Sequence, residues 1–298
     1  MPDRSFSPRT VAEAFGVSES SLKRWCDRGA IQTSKTAGGH RKIPRSSILD
    51  FARHQGMRLA RPELIGLPTL DDVISDSIEE SFEQALRSIL EGRMDDFRRC
   101  LIQLFLSGHA IWELGDKLIA RIMKEVGHRW ECAEVDVYQE RLGCEIITRC
   151  LYELRGMVKP PAADAPLAIG GTPAGDPYSL ASTLVELVLS EHGYRAVNLG
   201  SNVPLSSLER AIDRLRPRLF WLSVSAIDDV PAFVEQYNEL FAKHGQQVPI
   251  ILGGRALSEE VRGEIQYAVF CDRLSILNTF LSTLQPQSQH APAVQRNS

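Results

Sequence analysis

The spacing of apolar residues changes character twice along the chain. In residues 76–157 apolar side chains recur every three or four positions, as in Leu101, Leu104, Phe105 and again Ile119, Ile122, Val126. That period predicts four amphipathic helices, near 78–91, 94–107, 110–129 and 134–156, with turns at Gly92 and Gly108 and helix starts near Asp95 and His109. From residue 166 short apolar runs (PLAIGGT, RAVNLG, LFWLSVSA, VPIILGG, YAVFCD) alternate with helical stretches near 179–192, 204–215, 229–244, 258–265 and 273–284. Five such β–α units predict a doubly wound parallel sheet. The first sixty residues follow neither pattern at length. Val11, Ala14, Val17, Leu22 and Trp25 fit two short helices broken at Gly16, with Ser18 capping the second and Gly29 ending it. IQTSKTAGGHRKIP then supplies two extended pieces around Gly38-Gly39, a pair suited to a tight hairpin, and a third helix is expected over 46–54.

Pro-containing stretches at 59–70 and 158–166 read as linkers. The expected organisation is a head over 1–60, a helical bundle over 71–157, a Rossmann-like domain over 166–284 and a disordered polar tail over 285–298. With 298 residues, 43% hydrophobic and 24% charged, the composition excludes a fibrous or wholly disordered chain. No apolar run reaches membrane-spanning length, and MPDRSFSPRT has no signal-peptide core, so a cytoplasmic protein without a membrane partner is expected. The six cysteines show no CxxC spacing and read as free buried thiols, not a disulfide frame or a zinc knuckle.

Charge divides the chain more sharply. Residues 1–60 hold eleven Lys/Arg against five Asp/Glu, while the whole chain carries a net −4. A basic head on an acidic body points to a polyanion meeting the head alone. Two short helices with a glycine turn form a helix-turn-helix, whose second helix carries Ser20, Ser21, Lys23 and Arg24 on its outer side. The hairpin adds Lys35, His40, Arg41 and Lys42 as a wing able to hold phosphates. A small helical domain without a DNA role is the competing reading. The run SFSPRTVAEAFGVSESSLKRWCDRGAI, followed by TAGGHRKIP, resembles the winged-helix DNA-binding domain of MerR and excisionase-type regulators. The resemblance implies promoter binding to double-stranded DNA, as dimers on repeated half-sites. No sustained heptads are present, so self-association into a homo-oligomer would have to come from the body.

The body carries a second resemblance. GHRWECAEVDVYQER resembles the helical cap of cobalamin-binding domains. In light-sensing cobalamin-dependent repressors of the MerR type, a Trp followed after nine residues by Glu-His covers the upper corrin face. Trp130 and Glu140 keep that spacing, and Arg141 stands at the His position. An ordinary core role for Trp130 is the alternative. Leu199–Pro204, Ser223 and Gly253-Gly254 match the family's loops after strands two, three and four, where small residues leave a slot for the corrinoid's nucleotide tail. The family's Asp/Glu-x-His-x-x-Gly, whose His ligates cobalt, corresponds here to Asp176, Tyr178 and Ala181. Tyrosine is a poor ligand for cobalt in a corrinoid, and alanine narrows the slot. The resemblance thus implies cobalamin as cofactor, whereas the altered residues imply its loss or a free corrinoid held with its own base on cobalt.

No catalytic triad elbow, paired metal ligands or phosphate loop is present, so an enzyme is not expected. The expected function is transcription regulation by a winged head on a cobalamin-binding-type body. A ligand that changes self-association would change DNA affinity through effective concentration. Three alternatives stand beside it. They are a working cobalamin- or light-responsive repressor, an adaptor that tethers a protein partner to DNA, and a corrinoid protein of methyl transfer, which would need the missing His.

Overall fold

The computed structural model describes residues 4–36, 38–69 and 75–284. The expected tail lies outside them, as does Ala37 of the hairpin. In the head, β1 (Ser5–Phe6), α1 (Pro8–Phe15), α2 (Glu19–Asp27), β2 (Ser34–Lys35), β3 (Arg41–Pro44) and α3 (Arg45–Gln55) follow one another. Ser7 Oγ accepts from Thr10 N at 3.1 Å, and Ser18 Oγ accepts from Ser21 N at 3.2 Å, so each of the first two helices starts on a serine cap. Gly16 takes φ 68°, the left-handed conformation that turns α1 into α2. The strands form a small antiparallel sheet in the order β1-β3-β2. The sequence pattern missed β1 because two residues carry no detectable period. The segment expected as a linker also contributes to the head. A 3-10 turn at Pro62–Ile65 buries Ile65 and Leu67, and Arg61 N donates to Ala14 O at 3.0 Å.

The helical module is built from α4 (Ile78–Leu90), α5 (Met94–Leu106), α6 (Ile111–Glu113), α7 (Ala120–Glu131) and α8 (Val137–Arg155). The four expected helices are present, but the third is interrupted. A π-helical stretch, Leu114–Ile119, joins α6 to α7 and widens one turn around Gly115 and Asp116.

The remaining elements are β4 (Leu167–Gly171), α9 (Leu180–Glu191), β5 (Arg195–Asn198), α10 (Leu205–Leu215), β6 (Leu219–Ser223), α11 (Val230–His244), β7 (Ile250–Gly253), α12 (Glu259–Gly263), β8 (Val269–Phe270) and α13 (Leu274–Leu284). The five strands pair in parallel in the order β5-β4-β6-β7-β8. The doubly wound sheet expected from the alternation is therefore present. One sheet face packs on α9 and α13 and shares a continuous apolar core with the helical module and the head. The other packs on α10, α11 and α12 around Phe220, Leu222 and Tyr237. The strand order reverses between β4 and β6, and in such sheets the crevice beyond the strand C-termini at this point receives ligands.

Candidate functional site

Two surfaces carry the candidate residues. On the head, Ser20, Lys23, Arg24, Lys35 and His40 are exposed, while Ser21, Arg41 and Lys42 are half-buried. Not all eight side chains are free. The hydroxyls of Ser20 and Ser21 lie 2.9 and 3.0 Å from Ser18 Oγ and belong to the cap of α2. Arg41 Nη1 pairs with Asp27 Oδ1 at 2.9 Å, which braces the wing against the end of α2. The wing closes through Thr36 N to His40 O at 2.9 Å, with Gly39 at φ 77°. Trp25 lies inward, its ring 4.9 Å from that of Phe51 and 6.0 Å from that of Phe15.

The second surface is the junction between the helical module and the sheet's C-terminal edge. Tyr178 follows β4, and two guanidinium groups from different elements sit over its ring. Arg141 of α8 lies 5.2 Å from the ring centroid, and Arg255, after β7, lies 5.4 Å away. Both distances are within cation–π range. Arg141 and Tyr178, the two positions at which the resemblance implies histidines, therefore meet each other. Asp176 is fully buried. Its carboxylate accepts from Ser225 N at 2.5 Å and from Tyr178 N at 3.0 Å, so it spans the crevice between β4 and β6. Glu140 lies beside Cys144, whose thiol is pushed up to about 12, chiefly by burial and then by that carboxylate. Trp130 is 50% exposed, which excludes the core role considered for it.

The glycine positions serve close backbone approach. A Cβ on Gly254 would lie 2.1 Å from Val224 O, and one on Gly253 would lie 2.6 Å from Cys271 O. Ser223 ends β6 and is 3% exposed. With Ala181, Trp221 and Leu274 these residues enclose a cavity of about 180 Å³. Ligand pockets usually measure roughly 300–1,000 Å³. The loop after β5 closes on β4 as well: Thr172 N donates to Gly200 O at 3.1 Å, and Gly175 N donates to Asn202 Oδ1 at 2.9 Å. Position 178, where the resemblance implies a cobalt-ligating imidazole, carries a phenol.

The sequence reading missed a contact that shapes this junction. Asp116, in the π-helical turn, accepts from Leu274 N at 2.8 Å and from Ser275 N at 2.9 Å, capping α13 from the other module. A Cβ on the neighbouring Gly115 would lie 2.2 Å from Leu274 Cδ1, so a side chain there would have to displace the tip of Leu274. Glycine inside an otherwise periodic helix was the only visible signal.

A helix-turn-helix domain model matches residues 5–56, and a B12 binding domain model matches residues 81–155. The chain is similar to the HTH-type transcriptional repressor CarA of Myxococcus xanthus, at 23% identity over 270 residues, 85% of this chain and 88% of CarA. It is also similar to the HTH-type transcriptional repressor CarH of Myxococcus xanthus, at 21% identity over 298 residues, 93% of this chain and 95% of CarH. Among solved structures, the Methanosarcina barkeri monomethylamine corrinoid protein superposes with a TM-score of 0.60 at 17% identity, covering 70% of this chain and all of that one. That likeness establishes the corrinoid-protein fold of the body. No helix among the described residues is long and apolar enough to cross a membrane.

Proposed function

We propose that this chain is a cytoplasmic transcription regulator, not an enzyme, which binds promoter DNA through residues 1–60 and whose body works without protein-ligated cobalamin. The DNA half is supported by the helix-turn-helix match and by two relatives, each named a transcriptional repressor, that align over most of the chain. Lys23 and Arg24 reach bases or phosphates from α2, and Lys35, His40 and Lys42 hold phosphates from the wing. Arg41 acts as a brace on α2 through Asp27. Ser20 and Ser21 shape the start of the recognition helix and bring its first N–H groups toward the backbone of DNA.

The observation that carries the second half is Tyr178 beneath Arg141 and Arg255. A phenol near neutral pH is protonated, with a reference pKa of about 10. Two cations beside the ring further oppose the approach of a cobalt centre. Asp176, which would orient an imidazole, is already bonded to two backbone N–H groups. The body then serves self-association, supported by exposed Tyr138, Leu142 and Tyr152 along α8. Joining two or more weak heads raises their effective concentration on repeated half-sites.

The test is an absorbance spectrum of the full chain after incubation with hydroxocobalamin and gel filtration. The wild type should elute free of corrinoid, whereas Tyr178→His combined with Ala181→Gly and Arg141→His should retain it. Stoichiometric corrinoid on the wild type, with the spectrum of a protein-ligated and not of a free corrinoid, would refute this reading and restore the cobalamin-responsive repressor.

A further inference from the structure

On the sheet face turned away from the helical module, α10 and α11 bring together three ligand-type side chains that nothing above uses. Glu209 and Asp213 are four residues apart on α10, so both carboxylates project from one side of that helix. His244 is the last residue of α11. Their ligand atoms lie within 4.8 Å of one another. His244 is only 9% exposed, and its Nε2 is buried without a hydrogen-bond partner. That nitrogen lies 3.9 Å from Asp213 Oδ1, too far to bond it. A buried ring nitrogen with no partner is costly. The two carboxylates are the ligand-type groups beside it.

We propose that Glu209, Asp213 and His244 form a binding site for a divalent transition-metal ion of the zinc class, with water completing its coordination. One imidazole and two carboxylates suit Zn²⁺, at bonds of about 2.0–2.2 Å, and tetrahedral bonds of that length put ligand atoms roughly 3.4 Å apart. Rotation of Asp213, whose side chain is 65% exposed, can shorten its 3.9 Å separation from His244 Nε2. Glu209 is the constraint. Its Oε1 accepts from Lys243 Nζ at 2.8 Å, and the metal takes the place of that ammonium. Lys243 is 57% exposed on its side chain and can swing into water. The ion would tie the C-terminus of α11 to α10 on the outer face of the sheet.

The experiment uses the full chain, stripped with chelator, gel-filtered and titrated with Zn²⁺ by calorimetry, with Co²⁺ as an optical reporter. The wild type should bind an ion whose affinity falls at least about tenfold in Asp213→Asn and in His244→Gln, and whose binding raises the melting midpoint by about 2–4 °C. Lys243→Met should bind several-fold more tightly, because it frees Glu209. Asp213→Asn alters an exposed side chain, so it reports on the site even where His244→Gln disturbs packing. Zinc that binds all three variants with wild-type affinity and stoichiometry, or no zinc binding by the wild type, would overturn the proposal.

Discussion

Glu186 shows how a single side chain sets a pH dependence. It is 1% exposed on α9, and Arg155 of α8 approaches Oε1 at 2.7 Å. Burial pushes its carboxyl up from the ordinary value, outweighing the Arg155 charge and a hydrogen bond from the Asn198 backbone. The folded state therefore holds a proton that the unfolded state has released. The stability tied to Glu186 is fully present below the ordinary carboxylate pKa of about 4.3 and is lost as pH rises toward the raised folded value. Glu186→Gln removes that loss. Its melting midpoint should exceed the wild type's at about pH 8 and converge with it near pH 4, and parallel melting curves at every pH would contradict the assignment. In the head, Lys23→Ala and Arg24→Ala should each reduce the slope of log K against log salt by about one unit in a full-chain DNA titration. Arg41→Ala should instead lower affinity with a smaller change of slope, because its guanidinium is engaged by Asp27. The serine cap at Ser18, the left-handed Gly16 and the missing histidine at Tyr178 were all legible in the sequence, since each is a local fact. The engagement of Arg41, the hydroxyl cluster around Ser18 and the arginines over Tyr178 were not, because each depends on where a second side chain points.

At the scale of elements, periodicity located the four helices and the five strands, because a period repeated over ten residues outweighs any one exception. It did not locate the π-helical turn, where one extra residue per turn serves a contact with α13. Asp116 satisfies two of the N–H groups that every helix leaves open at its start, and it does so from another module. Asp116→Ala should cost about 1 kcal/mol, within the 0.5–2 kcal/mol range of lost N-caps. The signature is local: amide exchange should accelerate in the first turn of α13, at Leu274 and Ser275, ahead of any change in α4 or α5. An unchanged exchange pattern would mean that Asp116 contributes no cap in solution. The same local reasoning explains why the stretch before the helical module was read as a linker. Two prolines and a glycine suggest a loop, but burial of Ile65 and Leu67 on α1 is a long-range property.

One arginine of the head touches both other parts of the described molecule. Arg53 of α3 donates from Nη2 to His109 O and to Glu191 Oε1, each at 2.9 Å, and its guanidinium lies 3.8 Å from the centroid of Phe105. Glu191 in turn accepts from Ile111 N at 2.8 Å. Head, helical module and sheet thus share one partly buried charge network, beside a cleft of about 680 Å³ that Asp50 and His54 of the head line together with Lys159 and His192. The two carriers of the Arg53–Glu191 pair stand 138 residues apart, a separation at which no sequence pattern connects them. Their side chains are 15% and 17% exposed, so solvent screens the pair only in part. Truncating Arg53 to alanine should cost about 1–3 kcal/mol, with the Glu191 carboxylate still held by Ile111 N. Leu22, Ile43 and Ile48 are fully buried within the head, so it should stay folded while its placement on the body loosens. Small-angle scattering of Arg53→Ala should show a larger radius of gyration than the wild type. Arg53→Lys should fall between them, because an ammonium keeps the charge but cannot fork to two acceptors and stack on a ring at once. Superimposable scattering curves for all three would show that the head is held by apolar packing alone.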